Sequence, residues 1–185
     1  MNNSKAIIFD LDGTLIPINE DLIGQVRASL VNTISKVLKI SQEKASFELE
    51  KEIENTFEDD PYLKYRKAAL KFMSPEEATK GFYHLKENPP PYDQKIYQTI
   101  KKLKEAGYFI AAVSNSSEDR MKKWLNQMGI LNFIDHIGSS SDFLSSTESY
   151  PKLAKYKDIL VKFNLKADNV YVVGDCYNLD LAPAS

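Results

Sequence analysis

Two carboxylates, Asp10 and Asp12, stand two residues apart where the apolar run Ala6-Ile7-Ile8-Phe9 stops. A β-branched and aromatic run without polar alternation reads as a strand covered on both faces, the pattern of a parallel sheet. Side chains at i and i+2 of an extended chain point the same way, so both carboxylates project together if that conformation persists. Open α/β sheets bind ligands at the carboxyl edge, where this strand ends. Gly13 then permits a sharp turn and lets backbone N–H groups approach an anion closely. A second apolar run, Tyr108 to Val113, ends in Ser114-Asn115-Ser116-Ser117. A hydroxyl at a strand end, followed by N–H groups entering a helix, suits a phosphate oxygen. Ser116 or Ser117 would equally cap the following helix with no ligand at all. A last apolar run, Val170 to Val173, leads into Gly174-Asp175, with Asp180 five residues further on.

In this order the strings resemble the motifs of the haloacid dehalogenase superfamily. AIIFDLDGTL is similar to motif I, the strand ending at Ser114 to motif II, and the GDxxxxD stretch from Gly174 to Asp180 to motif IV. The form is that of subfamily I with a C1 helical cap, similar to the phosphoglycolate phosphatases. The resemblance implies Asp10 as nucleophile, forming an aspartyl-phosphate, and Asp12 as general acid and then base. It implies Mg²⁺ held by Asp10, Asp12 (through its backbone carbonyl), Asp175 and Asp180, and a phosphoryl group contacted by Gly13, Ser114 and Asn115. Motif III of the family is a lysine directly before a proline; here Tyr150 precedes Pro151 and Lys152 follows it. Lys152 is the first choice for that role, and Lys155 the alternative.

The implied activity is Mg²⁺-dependent hydrolysis of a small phosphorylated metabolite. Asp12 separates this pattern from dehalogenases, which need no proton at that position, and from P-type ATPases, which carry lysine there. A phosphomutase and a non-catalytic phosphate-binding relative are the alternatives. A receiver-type domain fits less well, since receivers carry no long insertion after the first strand. Four carboxylates gathered at adjacent strand ends would repel one another and raise some of their pKa values, which a hard divalent cation relieves.

The elements that must position these residues are legible as well. The expected fold is an α/β Rossmann-like three-layer core with a parallel sheet, formed by residues 1–16 and 92–185. An all-helical cap, residues 17–91, is inserted after the first strand. Within it Leu22, Ile23, Val26, Leu30, Ile34, Val37 and Leu38 recur at helical spacing after Asn19. Ser41 caps a second stripe of Ala45, Leu49, Ile53 and Phe57. Asp60-Pro61 opens a third helix containing Leu63, Leu70 and Met73, and Ser74-Pro75-Glu76-Glu77 is a capping box for a fourth, ending before the Asn88–Pro91 linker. Arg27, Lys64, Arg66 and Lys67 could face a substrate, although charges on helix faces are ordinarily solvated. The core resumes with a helix over Tyr92–Ala106 stopped by Gly107. It continues with a helix over Glu118–Met128 that buries Met121, Trp124, Leu125 and Met128, and with a strand over Phe133–Ile137. Trp124 reads as core, and His84 and His136 have no second ligand at metal-binding spacing.

Composition narrows the classes. The chain has 185 residues, 43% hydrophobic and 27% charged, which suits one soluble domain carrying an insertion. A net charge of −2 supplies no basic field for nucleic acid or anionic membrane. A single cysteine, Cys176, fits a reducing cytoplasm, and no apolar segment approaches membrane-spanning length. The family pattern continues past motif IV through a helix and another strand, so the carboxyl-terminal edge of the core is expected to be missing here. Oligomeric state is not readable from these patterns.

Overall fold

The computed structural model describes residues 5–17, 20–57, 61–78, 90, 92–140 and 151–184. Asn19, Asp60, His84, Tyr150 and, of the linker, Asn88, Pro89 and Pro91 lie outside them. The chain packs as two units, Met1–Ile18 with Pro89–Ser185, and Asn19–Asn88.

The first unit is built on a parallel sheet of four described strands: β1 (Ala6–Phe9), β2 (Phe109–Ser114), β3 (His136–Ser139) and β4 (Val170–Val173). Their order is β3-β2-β1-β4, so β1 is flanked on both sides, Phe9 lying opposite Ala112 and Val173. This explains the unbroken apolar run of β1. Ile7 and Phe9 face one layer with Ile110, Ala112, Met121, Trp124 and Leu125, whereas Ile8 faces the other with Ala111, Val113, Tyr156 and Ile159. Helices α4 (Gln94–Glu105) and α5 (Glu118–Gln127) supply the first layer and α6 (Pro151–Lys162) the second. The architecture is an α/β sandwich with helices on both sides of the sheet.

Two strand expectations need correction. β3 begins at His136 rather than Phe133, because Leu131–Phe133 close a 3₁₀ turn that packs Leu131, Phe133 and Ile134 against the core instead of pairing them. β4, an apolar run that reads by the same pattern as covered on both faces, leaves Tyr171 and Val173 exposed; among the described strands it pairs with β1 alone.

The second unit contains α1 (Glu20–Leu38), α2 (Gln42–Glu54) and α3 (Pro61–Ala69). Val26, Leu30, Val31, Ile34, Ala45, Leu49, Ala68, Ala69 and Met73 form its core. Ser41 caps α2 through Lys44 N–H, and Ser74 and Glu77 bond reciprocally as a capping box opening the turn at 75–78. The apolar stripes run shorter than their periodicity suggests. Val37, Leu38 and Phe57 are exposed, since α1 and α2 end before their faces can be covered. Arg27 pairs with Glu50 and donates to Ser46 Oγ at 2.9 Å, while Arg66 is buried rather than solvated. Among the described residues no helix is long and apolar enough to cross a membrane.

Candidate active site

The site is assembled where β1, β2 and β4 end together. Asp10 N–H still donates to Val173 O at 2.8 Å, which fixes Asp10 as the first residue beyond β1. The chain then folds back on itself: Ile16 N–H donates to Leu11 O at 2.8 Å and Gly13 N–H to Ile16 O at 2.6 Å. Gly13 has φ +93°, and a Cβ there would overlap the Asp175 carboxylate. Gly13 therefore contributes conformation and space, and its N–H is spent within the turn rather than offered to a phosphoryl group. Among the described residues Asp10 and Asp12 have different hydrogen-bond partners, although the Lys152 charge acts on both.

Asp10 is buried and faces Lys152, whose Nζ donates to its Oδ1 at 2.6 Å and also contacts Asp180 Oδ1. Lys152 enters from the first turn of α6 and is itself buried, so a lysine reaches Asp10 although it follows Pro151 instead of preceding it. Lys155 instead lines an open groove with His136 and Gly138. Asp180 sits in a π-helical turn, Tyr177–Leu181; its Oδ2 accepts from Cys176 N–H at 3.1 Å. A Cβ on Gly174 would collide with that Asp180 side chain. Glycine is required at both positions by the two carboxylates that crowd them.

The electrostatics are unbalanced in a telling way. Burial pushes the Asp10 carboxyl up to about 7, and Asp180 pushes the same way; the Lys152 charge opposes both without overcoming them. Burial alone would lower the Lys152 ammonium, but Asp10 and Asp180 together hold it above its ordinary value. Asp175 is also raised, by burial and by Asp180. Asp10, Asp175 and Asp180 offer carboxylate oxygens within 4.8 Å of one another. Hard oxygen donors this close, with two of the three carboxyls raised, are a set that fits a divalent cation such as Mg²⁺.

Asp12 belongs to a second cluster. Arg120 grips it with Nη1 to Oδ2 at 2.8 Å and Nη2 to Oδ1 at 2.9 Å, and Ser116 Oγ donates to Oδ2 at 2.9 Å. Burial raises the Asp12 carboxyl, yet the Arg120 charge and these hydrogen bonds outweigh it and leave the group below its ordinary value. Ser114, buried at the end of β2, lies 3.4 Å from Asp12 Oδ2 and accepts Ser116 N–H at 3.1 Å. Ser117, not Ser116, caps α5, which resolves the open choice between them. Asn115 Oδ1, Thr14 Oγ1 and Ser140 Oγ are buried without a hydrogen-bond partner among the described residues. Asn115 and Ser140 directly follow the ends of β2 and β3, and Thr14 lies in the turn beyond β1. Arg120 was not among the residues singled out by sequence; the only local hint is a cation in the first turn of a helix, where the macrodipole disfavours one.

Comparison with known proteins agrees with this geometry. Residues 7–184 match the family described as haloacid dehalogenase-like hydrolase, and the chain belongs to that family. It is 29% identical to a glyceraldehyde 3-phosphate phosphatase of Methanocaldococcus jannaschii, over 97% of this chain and 80% of the relative. It is 26% identical to a phosphoglycolate phosphatase of Aquifex aeolicus, over 92% and 76%. Among solved structures it resembles a HAD phosphatase from Thermococcus onnurineus, with TM-score 0.61 and 20% identity, over 97% of this chain and 81% of that one. A haloacid dehalogenase-like hydrolase from Xanthomonas campestris superposes with TM-score 0.56 and 15% identity, over 98% and 78%.

Proposed function

We propose that the chain is a Mg²⁺-dependent phosphatase acting on a small phosphomonoester through an aspartyl-phosphate at Asp10. The observation that carries the reading is the buried Asp10 carboxylate held by Lys152 at the carboxyl end of the central strand. Asp10 Oδ attacks phosphorus as the bond to the leaving oxygen breaks, and Asp12 supplies that oxygen with a proton. Water then attacks phosphorus, the Asp10–phosphorus bond breaks, and Asp12 takes the water proton. Lys152 orients Asp10 and offers its cation to the transferring group, while the Ser114 hydroxyl and Asn115 are the phosphoryl contacts this reading assigns. Asp10, Asp175 and Asp180, with the Asp12 carbonyl, would hold Mg²⁺. When bound, the cation offsets the charge of the carboxylates and the phosphoryl oxygens.

Residues 17–91 are assigned as the C1 cap that selects the substrate. The names of the two relatives, phosphatases of glyceraldehyde 3-phosphate and of phosphoglycolate, support a small phosphorylated metabolite as substrate class. The test is phosphate release from a panel of such esters with Mg²⁺ and with EDTA. Release that requires the metal is the expected result; a folded protein that releases phosphate from none of them contradicts the reading.

A further inference from the structure

We propose that Arg120 is the positioning residue of the proton-transfer step, turning Asp12 so that its Oδ1 is the oxygen that exchanges a proton with the leaving group. This rests on the phosphatase reading above. The two oxygens of Asp12 are unequally occupied. Oδ2 accepts from Arg120 Nη1 at 2.8 Å and Ser116 Oγ at 2.9 Å, with Ser114 Oγ at 3.4 Å. Oδ1 accepts only Arg120 Nη2, at 2.9 Å, among the described residues. A carboxylate oxygen accepts along two lone-pair directions. Oδ2 is therefore filled, and Oδ1 keeps one direction open.

The gripping group is itself fixed. The Arg120 guanidinium lies 3.8 Å from the centre of the Trp124 ring, one turn further along α5, and Trp124 is buried in the core. Nη1 also contacts Ser116 Oγ, which itself donates to Asp12 Oδ2, so indole, hydroxyl and carboxylate together hold the guanidinium. A planar fork with two parallel N–H bonds sets the rotation of a carboxylate; a lysine, as a point charge, would not. Helix chemistry gives no reason for a cation in the first turn of α5, whereas the pairing with Asp12 does. In the step concerned, the phosphorus–oxygen bond breaks toward the leaving oxygen, which takes the proton from Asp12 Oδ1. In the hydrolytic half the same oxygen receives the proton of the attacking water.

The test varies how much the leaving group needs that proton. Wild type, Arg120→Met and Arg120→Lys are assayed with 2,4-dinitrophenyl phosphate, whose leaving group departs as a stable anion, and with an alkyl phosphate, whose leaving group does not. Positioned acid catalysis is worth about 100-fold or more, so Arg120→Met should lose about that much kcat on the alkyl ester and only a few-fold on the dinitrophenyl ester. Arg120→Lys, which keeps the charge and spares the fold, should fall between. Asp12→Asn should show the same dependence on leaving group. Equal losses on both esters, or none on either, would overturn the proposal while leaving the phosphatase reading intact. The alkyl phosphate is one that wild type hydrolyses in the panel above; wild type that releases phosphate from no ester of that panel would overturn that reading and this one with it.

Discussion

Replacing Asp10 with asparagine should abolish turnover and at the same time stabilise the metal-free protein. Burial raises the Asp10 carboxyl from 3.8 to about 7. Between those values the folded chain binds more protons at this position than the unfolded chain, so stability falls as pH rises through that window. Below it the cost is absent, and above about 7 it is complete. A shift of about three units at 1.36 kcal/mol each makes the ceiling about 4 kcal/mol. Asparagine removes the charge at every pH but leaves Lys152 with Asp180 as its remaining carboxylate partner. We therefore expect a net gain of about 2 kcal/mol at about pH 8, or roughly 5 °C in Tm for a chain of this size. Near pH 4.5 the burial cost falls to about 1 kcal/mol, because the folded carboxyl is neutral and the unfolded one is ionised only just above its own value, so the gain should shrink accordingly. The assay is urea and thermal unfolding of wild type and Asp10→Asn in EDTA at both pH values. An asparagine variant less stable than wild type at the higher pH, or the same difference at both, would refute the burial argument. Such a stability gain on losing a buried carboxylate is expected where a site trades stability for function.

Other consequences follow from the same contacts. Lys152→Met leaves Asp10 and Asp180 buried without their shared cation and should cost about 3 kcal/mol in EDTA. Part of that loss should return with Mg²⁺, read by urea unfolding with and without the metal. Gly174→Ala drives a methyl group into the Asp180 side chain; metal affinity should fall about 10- to 100-fold with far-UV dichroism unchanged, as measured by calorimetry. Because the Asp10 carboxyl sits at about 7, Mg²⁺ binding near pH 7 should release about half a proton and tighten as pH rises. Titrations in buffers of different ionisation enthalpy measure that number directly.

What the sequence reveals and what it hides divide along physical lines. Asp10 and Asp175 were legible because each stands just past a run of apolar strand residues, a local signal, and Asp180 because it follows Asp175 at a fixed spacing of five; the parallel register of β1 with β4 brings the two strand ends together. Lys152 was legible in spite of its displaced proline, because a long side chain on the first turn of α6 reaches the same carboxylate from a shifted start. β3 was misplaced because apolar residues before it pack from a 3₁₀ turn, while the strand itself carries His136 and Ser139. Arg120 was hidden because its partner Asp12 lies 108 positions away. No periodicity within α5 distinguishes a guanidinium that reaches the site from one that faces water, and its stacking on Trp124 is invisible in a core stripe. The separate hydrogen-bond partners of Asp12 were likewise hidden, because Ser116 and Arg120 lie 104 and 108 positions from it in sequence.

The central claim is that phosphorus is transferred to Asp10. Its most direct test is rapid acid quenching of the protein during turnover of an ester that it hydrolyses, followed by digestion and mass spectrometry. The account predicts a phosphoryl adduct, labile to hydroxylamine, on the peptide containing Asp10 and absent in Asp10→Asn. Sustained phosphate release by Asp10→Asn, or an adduct on any other residue, would contradict it.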